Sequence, residues 1–237
     1  MYTTAELENI LFIDIETAPV VQRYEDLPER LQPLWDRKAQ KYQRSPDAPD
    51  SPTLFSEKAG IHAEFGRVVC ISCGYLQFDD QQKPTLTTKS YFGEDEHQIL
   101  TDCGQMLDKY NAARKQRTLC AHNGKEFDFP YLGRRYLIHG LPMPNFLKIQ
   151  GKKPWEIALL DTMELWKFGD YKAYTSLELM AAVMGVTSSK GDIDGSQVGQ
   201  VYWEEKDHER IKTYCERDVW VTAQLLLRMS RLPNLEE

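Results

Sequence analysis

The chain has 237 residues, 41% of them hydrophobic, and a net charge of −7 at pH 7. That length can bury one substantial core, and the excess of acid argues against holding nucleic acid by a broad basic surface. No run of about 18 apolar residues occurs, and the opening MYTTAELENI lacks the basic and apolar segments of a secretory signal, so a cytoplasmic protein with no membrane partner is expected.

The first predicted element, ILFIDIETAP at 10–19, is an apolar strand with Asp14 and Glu16 planted in its far end. Residues two apart on a strand share a face, so both acids project together, where like charges repel and are costly to bury unpaired. A cation is expected between them. A polar, proline-rich stretch follows from about 22 to 64 and reads as an insertion or lid, unable to build a core of its own. GRVVCISCGYLQF (66–78) and PTLTTKSYF (84–92), joined by DDQQK, read as a hairpin. CISC has the spacing of a zinc half-site, but positions i and i+3 of a strand face opposite ways and no second pair follows, so zinc is not expected. The five cysteines, odd in number and mainly in apolar segments, read as reduced thiols.

Further on, EDEHQILTDCGQMLDKYN (94–111) places Ile99, Cys103, Met106, Leu107 and Tyr110 at helical spacing. TLCAH (118–122) returns to strand, and EFDFPYLGRRYLIHG (126–140) reads as a helix with Pro130 near its first turn and Gly140 at its stop. A strand through WEIALLDT, a capping box formed by Asp161 and Glu164, a helix over 176–185 and a last helix from about 205 to 229 complete the chain. The hairpin is antiparallel and the later crossovers are parallel, which predicts one α/β domain over 1–237 with a mixed sheet. Basic clusters at 113–117, at Arg134 and Arg135, and at 148–155 read as solvated faces or as local contacts for a polyanion.

Three segments carry acids at the ends of apolar elements. Asp14 and Glu16 close the first strand; Asn123 closes another, with Asp128 in the first turn of the helix behind it; Tyr214 and Asp218, four apart, share one face of the last helix. Singly, each has an ordinary structural reading as a cap, a dipole contact or a solvated side chain. Four carboxylates brought together would make an oxygen-rich site for hard divalent cations such as Mg²⁺ or Mn²⁺, and no neighbouring Cys or His is expected to favour a softer metal. DIDG at 192–195 is not a calcium loop, because positions 197 and 203 hold Gln and Trp where an EF-hand needs Gly and Glu.

DIE at 14–16, HNGKEFD at 122–128 and YCERD at 214–218 resemble, in order and spacing, the three motifs of the DEDD 3′→5′ exonucleases. The tyrosine four residues before the last aspartate resembles the DEDDy branch. KGDIDGSQV (190–198) is similar to a bacterial family of stand-alone exonucleases related to the proofreading domain of family B DNA polymerases. The resemblance implies an RNase H-like fold, a self-standing nuclease with no polymerase domain in the chain, and hydrolysis assisted by two Mg²⁺ or Mn²⁺ ions. It implies that Asp14, Glu16 and Asp218 hold one ion, that Asp14 and Asp128 serve the second, and that Tyr214 orients the attacking water. It also implies that the Thr17 amide meets the terminal 3′-OH and places the 192–195 loop near the substrate channel.

Phe127, beside Asp128, is a candidate to stack on a terminal base, and Asn123 is a candidate substrate contact. An acidic chain that must grip an end in this way is expected to prefer single-stranded or frayed DNA 3′ ends. RNA as the substrate, and a noncatalytic nucleic-acid-binding module, are the alternatives.

Overall fold

The computed structural model describes residues 2–113, 117–170, 172–187 and 192–236. Helix α1 (Thr4–Leu7) opens the chain through a capping box of Thr3 and Glu6 and leads into β1 (Ile10–Pro19). The segment that follows holds α2 (Gln32–Ala39) and α3 (Ser51–Lys58). Strands β2 (Gly66–Phe78) and β3 (Pro84–Phe92) form the hairpin, and α4 (Glu96–Ala113), β4 (Thr118–Ala121), α5 (Asp128–Ile138) and β5 (Leu159–Asp161) follow. The remainder is helical: α6 (Thr162–Lys167), α7 (Leu177–Met184), the single turn α8 (Val198–Gln200) continued by a π-helical turn at Val201–Glu205, and α9 (His208–Met229).

The strands lie in the order β3-β2-β1-β4-β5, the first three antiparallel and the β1–β4 and β4–β5 pairs parallel. This is the RNase H-like mixed sheet, flanked by helices, that the motifs lead one to expect. The central strand β1 is apolar on both faces because both are covered. Leu11, Ile13 and Ile15 pack with residues of α4 and α5, including Leu100, Leu107 and Leu132, whereas Ile10 and Phe12 pack with Val219, Ala223 and Leu226 of α9. Strand alternation therefore turns Asp14 and Glu16 toward the α9 face. Gly74 lets α9 approach: a Cβ there would lie 2.8 Å from Cγ1 of Val219. Cys70 and Cys73 fall in clusters on opposite faces, and all five cysteines are free thiols.

Several expectations are corrected. The 22–64 stretch does build a small core: Leu27, Trp35, Leu54, Phe55 and Phe65 bury one another, with Trp35 edge-on to Phe55 at 5.3 Å and to Phe65 at 5.2 Å. These five large side chains, Phe65 lying just past the stretch, are enough to order a segment whose average composition is polar. Arg135 is not part of a surface cluster. It is 4% exposed and forks onto Glu96, with Nε 2.8 Å from Oε1 and Nη2 2.6 Å from Oε2. The strand expected over 155–162 shrinks to three residues, and α9 starts at His208, where Asp207 caps it by accepting from the Arg210 amide. Of the basic cluster at 113–117, residues 114–116 lie outside the described residues, as do Lys190 and Gly191 of the 190–198 motif.

Candidate active site

A β-bulge between Glu16 and Thr17 shifts the register of β1 against β2, which pair again from Thr17↔Val68 to Pro19↔Gly66, and adds twist where the two acids emerge. Asp128 is the first residue of α5 and reaches β1 directly: its Oδ1 accepts from the Ile15 amide at 3.2 Å, between the two β1 acids. Tyr214 and Asp218 come from the same face of α9, and the Tyr214 hydroxyl interacts with the Asp218 carboxylate. All five side chains line one cleft of about 680 Å³, together with Asn123, Phe127 and the loop residues Asp192, Ile193 and Asp194.

Asp128 and Glu16 are buried, at 4% and 7% exposure, and no ion pair to Asp14, Glu16, Asp128 or Asp218 occurs among the described residues. Burial, then the charges of Asp218 and Asp128, pushes the Asp14 carboxyl well above its usual range. Glu16 is raised likewise by burial, then by Asp14 and Asp218. Asp128 is pushed up to about 7 by burial, although the Ile15 amide works the other way. Asp218 is raised to about 6 by burial, against the opposing pull of Tyr214 and Arg217. Without a cation these acids do not all ionise at neutral pH.

The expectation that no cysteine lies nearby is corrected. The Cys215 thiol donates to Asp14 Oδ2 at 3.2 Å, and donor atoms of Asp14, Glu16 and Cys215 lie within 4.8 Å of one another. Sequence spacing hid this, because Cys215 sits one residue from Tyr214 on a helix and faces the sheet. Burial raises the thiol's pKa well above its ordinary value, so it remains a hydrogen-bond donor. The remaining donors are carboxylate oxygens, which fit a hard divalent cation.

The other expected residues divide. Asn123 takes φ +59° at the end of β4, and its Oδ1 is buried in the cleft wall without a hydrogen-bond partner. Phe127 is half-buried, lines the cleft and packs on Tyr131 at 5.4 Å, whereas Phe129 belongs to the core. Thr17 is not among the residues lining the cleft, and its side chain interacts with the Tyr131 hydroxyl on the other side of the bulge.

Residues not foreseen hold the site together. Asp161 caps α6 through the Met163 amide, but it also accepts from the Asn123 amide at 2.9 Å and the Lys125 amide at 3.1 Å. Glu164, the expected partner in a capping box, pairs instead with Lys125 at 2.6 Å. His122 bridges Thr162 Oγ1 and the Thr175 carbonyl, both at 2.9 Å, so the loop before α7 is tied to the end of β4. The sequence signal for Asp161 was its capping position. What it could not disclose was the second set of amides, 36 and 38 residues away.

Residues 60–235 match the family described as predicted 3′–5′ exonucleases related to the exonuclease domain of PolB. No curated protein matches the chain closely enough to count as a relative. Among solved structures, the family B DNA polymerase of the hyperthermophilic archaeon Pyrobaculum calidifontis aligns over 94% of this chain and 24% of its own, at 16% identity and TM-score 0.49. E. coli exonuclease I in complex with a dT13 oligonucleotide aligns over 94% of this chain and 42% of its own, at 9% identity and TM-score 0.46. The chain thus spans a quarter to two fifths of these structures.

Proposed function

This chain belongs to the family of predicted 3′–5′ exonucleases related to the PolB exonuclease domain, and from that premise we propose that it removes nucleoside 5′-monophosphates from single-stranded or frayed DNA 3′ ends with the help of two divalent cations. The observation that carries the reading is the convergence of Asp14, Glu16, Asp128 and Asp218 on one cleft with no Lys or Arg among its described lining residues. Asp14, Glu16 and Asp218 would hold one Mg²⁺ or Mn²⁺ ion, and Asp14 with Asp128 the other. Bound there, the ions would supply acidification of water and neutralisation of the charge that develops on the phosphoryl group.

The chain's own residues do the positioning. Burial and the surrounding carboxylates push the Tyr214 hydroxyl upward in pKa, so it keeps its proton and orients a water by hydrogen bonding instead of acting as a base. That water's oxygen forms the new bond to phosphorus as the bond to the neighbouring 3′ oxygen breaks, and the released 3′ oxygen takes up a proton. Phe127 lies beside Asp128 to stack on the terminal base. Asn123 lines the same cleft, and its buried Oδ1 is without a partner among the described residues.

Digestion of matched DNA and RNA oligomers in Mg²⁺, in Mn²⁺ and in chelator tests this reading. Metal-dependent release of mononucleotides, faster from DNA, is expected. No release from either polymer would contradict it.

A further inference from the structure

The cleft that would hold the substrate is lined by seven carboxylates, and no Lys or Arg occurs among its described lining residues. Two cations close to it along the chain are already paired with carboxylates: Lys125 with Glu164 at 2.6 Å, and Arg210 with the lining residue Asp192 at 2.7 Å. The described residues of the cleft wall therefore offer no Lys or Arg for neutralising phosphates, the usual source of affinity for a nucleic acid. Sequence-tolerant affinity has one other common source, an aromatic face on which a base can stack.

Tyr174 offers such a face. It lines the cleft, yet it is 68% exposed, so its ring lacks the packing that an aromatic side chain of structural purpose normally has. Its backbone is anchored on the C-terminal side, where the Thr175 carbonyl accepts from His122 Nε2 and Ser176 caps α7 through the Leu179 amide. An anchored main chain with a free ring pre-organises a platform at little entropic cost. We propose that Tyr174 is a nucleobase-stacking residue at the cleft rim, taking a base of the incoming single strand separate from the one placed on Phe127. The proposal rests on the nuclease reading above and adds a residue that selects for unpaired bases, because a base in a duplex has no free face to offer.

The test is a double-mutant cycle between the ring and the base, read as binding so that it does not depend on turnover. Kd values for 5′-labelled single-stranded DNA are measured by fluorescence anisotropy in Ca²⁺, for the wild type, Tyr174→Ala and Tyr174→Phe. The oligomers carry a single abasic site at each of the 3′-terminal positions in turn. Tyr174→Ala is expected to raise Kd about 10-fold, within the 5- to 150-fold span of one stacked base, and Tyr174→Phe to restore tight binding. At one position the abasic site should weaken the wild type by a similar factor and leave Tyr174→Ala nearly unaffected. Equal abasic penalties in both proteins at every position, or no binding by the wild type, would overturn the proposal. Coupled binding without mononucleotide release in Mg²⁺ would instead contradict the nuclease reading and leave the stacking residue standing.

Discussion

The main-chain amide of Ile15 donates to Oδ1 of Asp128 at 3.2 Å, across 113 residues of sequence. The acid at the start of α5 is thereby fixed between the two acids of β1, and one of its lone pairs is committed to the fold. Replacing it separates the two roles. Asp128→Asn keeps an acceptor for Ile15 and should fold as the wild type does while losing at least about 100-fold in turnover. Asp128→Ala leaves the amide unsatisfied and should lie about 1–3 kcal/mol below the Asn variant in stability. Urea denaturation of the two variants, alongside steady-state rates, checks both statements.

The metal-free acids make stability depend on pH in a defined direction. A carboxyl raised to about 7 at Asp128, or to about 6 at Asp218, holds its proton in the fold after the unfolded chain has released it. Stability from this source is complete below about pH 4 and is lost as pH rises to about 7, at up to about 1.4 kcal/mol per pH unit for each proton retained. His62 acts in the opposite sense. Burial lowers it to about 4, so its contribution is complete above about pH 6.5 and is lost as pH falls through 4. The difference between wild type and Asp128→Asn, measured in chelator at each pH, removes the His62 effect. The wild type is expected to lose ground to the variant as pH rises from 4 to 7, and to regain it when Mn²⁺ is added.

Tyr214 shares a helical face with Asp218 and contributes a hydroxyl that stays protonated. Tyr214→Phe should lower turnover by about 100-fold, the scale of a positioned proton-handling group, and leave Mn²⁺ affinity almost unchanged. Single-turnover rates and calorimetric titration distinguish this from a packing role, in which neither quantity would move.

Asp161 is 1% exposed and serves three amides from two segments. Asp161→Ala is expected to cost about 1–3 kcal/mol for the amides left unpaired, with part of the catalytic rate, because the turn that delivers Asp128 loses its anchor. Thermal unfolding and activity measured on the same preparation check whether the two fall together.

Most of this architecture is written locally in the chain. The apolar run from Ile10 to Ile15, the hairpin and the helical spacing of Ile99, Cys103 and Leu107 predict the sheet and its covering helices, and the position of acids at element ends predicts which side chains meet. What escaped depends on contacts between distant segments. The insertion's core needs Trp35, Phe55 and Phe65 from three separate stretches, so no local window is apolar enough to reveal it. Cys215 and Asp161 carry no spacing that distinguishes them from a core thiol and an ordinary cap. Arg135 looked like part of a basic pair until Glu96, 39 residues earlier, took it inside.

The central claim is that these four carboxylates serve stepwise hydrolysis from a 3′ end, and a time course on 5′-labelled DNA in Mg²⁺ tests it most directly. Single-stranded, blunt and 3′-mismatched substrates are compared for the wild type, Asp14→Asn and Asp218→Asn. A descending ladder is predicted, fastest on the unpaired ends because a paired terminus must first open, and absent in chelator and in both variants. Fragments arising first from the middle of the strand, equal rates on blunt duplex, or wild-type rates in both variants would contradict it.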